Sequence, residues 1–290
     1  MVFVDVQEIW LKIDGIRTHC LTGGNSGSPV LLLHGGGIDS ALLSWGELIT
    51  SLSTEYRVFA PDLPGYGESD KPDIAYTTDF YTAFVTHLLD ALHLERVSLV
   101  GLSMGGAIAL NLALHNADRV EKLVLVDSYG IIDAQVWPRW LYVLIYLYVH
   151  HCSFLNELTY RLMHINPGLV RCSLLAAGVI HSTQRISQEL INQIYQHAQI
   201  PGRGKAFTSW QQSEIQWHGL HTTLIDRLYE IRTPTLLING EKDHTIPLAY
   251  VQKAHKLIAD SQLYVIRDCG HWPQREKPDE FNRIVAEFLR

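Results

Sequence analysis

Ser103 stands in Gly101-Leu102-Ser103-Met104-Gly105, with the apolar run Val97-Ser98-Leu99-Val100 before it and Gly106-Ala107-Ile108-Ala109-Leu110 after it. A serine between two glycines, at a turn from strand into helix, is the placement of a nucleophilic hydroxyl. The turn is too tight for a side chain at either glycine, and it lifts the hydroxyl clear of the backbone. It also leaves the Met104 N–H at the start of a helix, without an intrahelical partner. A serine hydroxyl is a weak nucleophile unless a base takes its proton. Of 15 histidines, His271 is the best placed. It lies in Asp268-Cys269-Gly270-His271-Trp272-Pro273, just past the last apolar strand run. Such a base needs a carboxylate to fix its tautomer and stabilise the imidazolium. Asp243, in the loop Asn239 to Pro247 after the run ending at Ile238, supplies one. Asp127, directly after Leu123-Val124-Leu125-Val126, is its rival at the same sheet edge.

A reaction at a carbonyl also needs donors for the developing oxyanion. His34-Gly35-Gly36-Gly37 follows the run Val30 to Leu33, and the Gly36 and Met104 N–H groups are the expected pair. Each such donor contributes about 3–4 kcal/mol in a transition state. Between about residues 130 and 231 the chain carries Trp137, Trp140, Tyr142, Tyr146, Tyr148, Trp210 and Trp217. That lining suits an apolar or aromatic small molecule. Leu102, Trp272, Trp137 and Trp210 are the expected substrate contacts. His150-His151 and the spacing of His218 and His221 hint at metal ligands, but no cysteine or carboxylate cluster completes such a site. No metal and no cofactor are expected.

The elements that must hold these residues can be read from periodicity. Ile9–Ile13 and Ile16–Leu21 flank Asp14-Gly15, a hairpin signal. Short runs apolar on both faces follow at 30–33, 57–60, 97–100, 123–126, 235–238 and 263–266, as buried parallel strands require. Helical patterns alternate with them. Phe84, Leu88 and Leu92 share one face, and a last helix begins near Pro278-Asp279 with Phe281, Ile284, Val285 and Phe288 as its apolar stripe. The order predicts an α/β fold, a mostly parallel sheet with helices on both faces. Alternation lapses from about Gly130 to Arg232, where Pro138, Pro167-Gly168 and Pro201-Gly202-Arg203-Gly204 break helical patterns. The expected organisation is one domain, with a core of residues 1–129 and 232–290 and a helical insertion at about 130–231.

Composition narrows the partners. Of 290 residues, 47% are hydrophobic and 18% charged, as in a folded globular chain, and the net charge is −7. That charge repels phosphate backbones, so nucleic acid is not an expected partner. Cys20, Cys152, Cys172 and Cys269 are scattered, which favours reduced thiols over a disulfide or zinc framework. Residues 1–8 lack a basic n-region and an apolar stretch, so a cytoplasmic location is expected. Leu141 to Val149 is wholly aliphatic or tyrosine. At nine residues it is too short to span a bilayer, so it is expected to be a helix packed on another helix, with lipid contact as the alternative.

Taken together, the chain resembles the α/β-hydrolase superfamily, specifically its capped members. The likeness rests on His34-Gly35-Gly36-Gly37, on Asp62-Leu63-Pro64-Gly65-Tyr66-Gly67-Glu68-Ser69, on the Ser103 pentapeptide, on Gly240 to Asp243 and on Gly270-His271. It implies that the order Ser103, Asp243, His271 is a catalytic triad, that the insertion is a cap, and that Asp62–Ser69 is a structural loop. His271-Trp272 with Gln274 and Glu276, then Phe281-Asn282-Arg283, and Ser103-Met104-Gly105-Gly106 are similar to the carbon–carbon hydrolases of meta-fission products. Two positions depart from that subfamily: Leu102, where asparagine is usual, and Ile38-Asp39-Ser40, where Gly-Pro-Gly usually continues the oxyanion loop. On that account the expected activity is ester hydrolysis through an acyl-enzyme, with carbon–carbon hydrolysis and non-catalytic ligand binding as alternatives. Dehalogenases and epoxide hydrolases of this fold place a carboxylate where Ser103 stands.

Overall fold

A computed structural model describes residues 6–200, 202 and 204–290. The N-terminal residues 1–5, and Pro201 and Arg203 of the expected loop, lie outside the described residues. The strands are β1 (Gln7–Ile13), β2 (Ile16–Gly23), β3 (Pro29–Leu33), β4 (Arg57–Pro61), β5 (Val97–Leu102), β6 (Val120–Val126), β7 (Ile215–Gln216), β8 (Gly219–Leu220), β9 (Thr235–Gly240) and β10 (Ser261–Ile266). The helices are α1 (Ala41–Leu52), α2 (Thr78–Ala91), α3 (Met104–His115), α4 (Arg139–His151), α5 (Phe154–Ile165), α6 (Pro167–Ala176), α7 (Gln188–Ala198), α8 (Lys205–Glu214), α9 (Leu248–Leu257), α10 (Pro273–Glu276) and α11 (Pro278–Leu289).

Eight strands form one sheet in the order β1-β2-β4-β3-β5-β6-β9-β10. β1 and β2 pair antiparallel through a turn with Asp14 at φ 50°, and β2 lies antiparallel on β4. Every pair from β4 through β3, β5, β6 and β9 to β10 is parallel. Alternate side chains of a strand point to opposite faces, and here both faces are covered. Leu31, Leu33, Leu99, Leu123, Leu125 and Leu237 pack with Phe84 and Leu88 of α2, Ile108 of α3 and Val251 of α9. Their neighbours Val30, Leu32, Val100, Val124, Leu236 and Ile238 pack with Trp45 of α1 and with Phe281, Ile284 and Val285 of α11. A strand buried on both faces has no polar side to show, which is why these segments read as unbroken apolar runs.

Between β6 and β9 the chain forms α4 to α8 and the small antiparallel pair β7–β8. The sequence showed no strand there, because two residues cannot display a period of two. Helix α4 packs on α8, as expected, but through one face only. Tyr142 and Val149 are buried, while Trp140, Leu144, Leu147 and Tyr148 remain exposed, so only one face of the apolar run is packed. Among the described residues no helix is long and apolar enough to cross a membrane.

The Asp62–Ser69 loop is fastened by one buried carboxylate. Asp62 accepts hydrogen bonds from the N–H groups of Ala41 (2.8 Å) and Glu68 (2.9 Å) and pairs with His19 Nδ1 (2.8 Å). Burial alone would raise this carboxyl. The His19 bond, the nearby His34 and the two backbone donors outweigh it, and its pKa settles at about 2. The loop therefore ties β4, α1 and β2 together beneath the site.

Candidate active site

The sheet carries the candidate residues at its C-terminal edge, where open α/β sheets bind ligands. Ser103 follows β5 and opens α3 with φ 50° and ψ −113°. A residue with a side chain seldom takes this conformation, at a cost on the order of 1–3 kcal/mol. Three bonds hold it there. Ser103 N–H donates to Val126 O (2.9 Å), and the Ser103 carbonyl accepts from Ala107 N (3.1 Å) and Tyr129 N (3.0 Å). The flanking glycines have a steric cause. A Cβ at Gly101 would collide with the Gly105 carbonyl, and one at Gly105 with the Leu33 carbonyl.

The next two strand ends bring the partners alongside. Asp127 N–H donates to Ile238 O (2.9 Å), and Lys242 N–H to Cys269 O (2.8 Å), so the loops after β6, β9 and β10 lie side by side. There His271 Nδ1 meets Asp243 Oδ2 at 2.7 Å. Asp243 Oδ1 accepts from Thr245 N (2.7 Å) and Ile246 N (3.2 Å). Burial pushes the Asp243 carboxyl up, but the adjacent His271 and these hydrogen bonds carry it below the usual range, so it is ionised at neutral pH. An ionised Asp243 keeps the proton on His271 Nδ1. Among the described residues neither His271 Nε2 nor Ser103 Oγ has a hydrogen-bond partner, so Nε2 is open as an acceptor.

The glycine loop after β3 is set by two buried side chains. Asp39 accepts the Gly35 N–H (2.8 Å), the Ser40 N–H (2.8 Å) and the Ser44 hydroxyl (2.7 Å). His34 Nε2 accepts the Leu63 N–H (3.0 Å), and its Nδ1 bonds Gly35 O (2.8 Å). Gly35 is thus spent on the scaffold, while the Gly36 and Met104 N–H groups have no acceptor among the described residues.

The four expected substrate contacts are less uniform. Leu102 is a correction: its side chain is fully buried in the core on the α1 and α11 face, just under Gly35. Strand alternation sends it inward, away from any surface a solute reaches. Trp272 is also nearly buried in that cluster, and its backbone N–H donates to Val179 O (3.0 Å). Trp137 is half-buried against Tyr142, ring centroids 6.3 Å apart. Trp210 is buried, donates Nε1–H to Thr78 (3.0 Å) and meets Tyr129 edge-on at 5.1 Å.

One further residue, Phe207, escaped the sequence reading, and Glu276, named there only as part of a motif, has a structural role that the sequence did not indicate. Phe207 of α8 lies directly over Gly36, where a Cβ would overlap its ring, and it stacks on Trp210 at 5.9 Å. Glu276 is fully buried and accepts three N–H groups: Gly270 (2.8 Å) beside the base, and His181 (3.0 Å) and Ser182 (2.8 Å) from the helical insertion. It couples the His271 loop to that insertion. A single Phe in a helix has no spacing signal, and the resemblance that included Glu276 said nothing of the backbone groups it holds. His218 and His221 form no joint site. Among the described residues only Asp127, Asp243 and His271 cluster at metal-ligand spacing. Three of their four carboxylate oxygens already accept hydrogen bonds.

The sequence profile of the alpha/beta hydrolase fold matches residues 28–278. The chain belongs to the α/β-hydrolase family. Within that family it is similar to the 2-hydroxy-6-oxo-2,4-heptadienoate hydrolase of Pseudomonas putida F1, with 33% identity over 95% of this chain and 93% of the relative. It is 31% identical to the 2-hydroxymuconate semialdehyde hydrolase of Pseudomonas sp. CF600, over 95% and 91% of the two chains. Among solved α/β-hydrolase structures it superposes on the meta-cleavage product hydrolase of Pseudomonas fluorescens IP01, a serine-to-alanine variant complexed with acetates. That match has a TM-score of 0.77 and 27% identity, and covers 98% of this chain and 97% of the other.

Proposed function

We propose that this protein is a serine hydrolase that cleaves a carbon–carbon bond beside the 6-oxo group of 2-hydroxy-6-oxo-dienoates, with Ser103, Asp243 and His271 as its triad. The observation that carries the hydrolase reading is the 2.7 Å pair of buried Asp243 and His271, at the same sheet edge as a strained Ser103. The substrate class is favoured by the relatives, one named for a 2-hydroxy-6-oxo-heptadienoate and one for 2-hydroxymuconate semialdehyde, neither for an ester. This reverses the order expected from Leu102, whose buried side chain cannot argue for either substrate.

Chemistry assigns the roles. Moving the 2-hydroxyl proton to C5 gives a diketone in which the C5–C6 electron pair can leave onto the 2-oxo group. His271 takes the Ser103 proton as Oγ adds to the C6 carbonyl, and the Gly36 and Met104 N–H groups hold the oxyanion. Collapse breaks C5–C6, and the leaving carbon chain takes up the proton that His271 holds. Water, activated by His271, then hydrolyses the acyl-Ser103 ester. No cofactor enters these steps. The Phe207–Trp210 wall beside Gly36 takes an apolar acyl group equally well, so an ester is the second reading.

The test is a paired assay: loss of dienolate absorbance with 2-hydroxy-6-oxo-hepta-2,4-dienoate, beside p-nitrophenyl esters of graded chain length. Higher kcat/KM for the dienoate is expected. Turnover of esters alone would refute the carbon–carbon reading and leave the serine mechanism standing.

A further inference from the structure

A second carboxyl lies behind the catalytic acid. Asp127 follows β6 with φ 40°, a conformation unusual for a residue with a side chain. Its side chain is fully buried. Oδ1 accepts the Gly240 N–H at 3.0 Å. One oxygen of Asp127, one of Asp243 and a ring nitrogen of His271 all lie within 4.8 Å of one another.

The hydrogen bonds leave one atom over. Asp243 Oδ1 has two backbone donors and Oδ2 has His271. Asp127 Oδ2 is buried and has no donor among the described residues. An ionised oxygen in that position would be desolvated without compensation, and two carboxylates this close would repel. One proton removes both costs.

We infer that Asp127 is a positioning residue of the site: it keeps a proton on Oδ2 and donates it to Asp243, fixing that carboxylate for His271. Burial first, and then the charge of Asp243, push the Asp127 carboxyl well above the usual range, the direction this arrangement requires. Besides Asp243 and His271, Cys269 in the loop after β10 faces Asp127, with Glu276 beyond it. Burial, aided by the charge of Glu276, raises the Cys269 thiol, so it stays neutral. The assignment rests on Asp243 being the residue that orients His271.

The pH dependence of kcat/KM in Asp127→Ala and Asp127→Asn tests it, with Asp243→Asn measured alongside. Asp127→Ala removes the donor and is expected to lower kcat/KM about tenfold to a hundredfold. With its donor gone, Asp243 becomes more basic, and the acidic limb set by His271 moves to higher pH. Asp127→Asn presents an N–H to Asp243 and a carbonyl to Gly240. It is expected to recover most of the loss and to return the limb toward its original position. A limb that moves to lower pH in both variants would mean that Asp127 is ionised beside His271, and would overturn the inference. Wild-type kinetics in both variants would overturn it too. Should Asp127→Ala fail to fold, a protonated-carboxyl band in the wild-type minus Asp127→Asn infrared difference decides the same point. A mild effect of Asp243→Asn would instead overturn the underlying triad reading.

Discussion

Replacing Asp243 by asparagine perturbs the site at one atom. In the native arrangement Oδ1 accepts from Thr245 and Ile246 N–H, and Oδ2 accepts from His271 Nδ1. The two backbone donors hold the asparagine carbonyl at the Oδ1 position, which leaves its NH2 facing His271. Two donors cannot bond each other, so the imidazole must move its proton to Nε2 and let Nδ1 accept. His271 Nε2 then cannot take the Ser103 proton. Loss of the imidazolium's counter-charge adds to this. The expected fall in kcat/KM is on the order of 10⁴, about 5–6 kcal/mol, the size seen when a triad histidine is forced into the wrong tautomer. Folding should be little changed, because all three backbone and ring contacts keep a partner. The assay is steady-state turnover with thermal unfolding as a control. A loss below about tenfold in a folded variant would refute the reasoning. If Asp127→Asn were the crippling change instead, the catalytic acid would be Asp127.

Three other outcomes follow from the same geometry. Gly105→Ala drives a Cβ into the Leu33 and His34 carbonyls, both backbone, and should cost about 3 kcal/mol or more in denaturant unfolding; a wild-type midpoint would contradict this. Phe207→Ala uncovers Gly36 and should raise KM for bulky acyl groups more than it lowers kcat; the opposite split would mean that Phe207 does not touch substrate. Asp62 has a folded pKa of about 2 against an ordinary 3.8, so its contribution is present above pH 4 and is lost as pH falls toward 2. That amounts to roughly 2 kcal/mol, and Asp62→Asn should flatten acid unfolding over that window.

Much of the candidate site was legible because each expected triad residue lies within five residues of the end of an apolar strand. Ser103 follows β5, Asp243 follows β9 and His271 follows β10, and parallel pairing of those strands is enough to gather the loops. The hairpin at Asp14 and the α11 stripe were legible for the same reason, since turn chemistry and periodicity are local. What depends on distant packing was not. Leu102 reads as a neighbour of the nucleophile, yet the pleat turns its side chain into the core. Phe207 reaches Gly36 from a helix far along the chain, and Glu276 bridges backbone groups of two segments. Asp127 could be seen as a rival to Asp243, but its unpaired oxygen appears only once both carboxyls are placed.

The central claim is that Ser103 is a nucleophile made reactive by His271. Intact-mass and peptide analysis after treatment with a fluorophosphonate measures this directly. The account predicts a single adduct, on the peptide holding Ser103, forming much more slowly in His271→Ala and not at all in Ser103→Ala. No adduct on the folded wild-type protein, or an adduct that persists in Ser103→Ala, would contradict it.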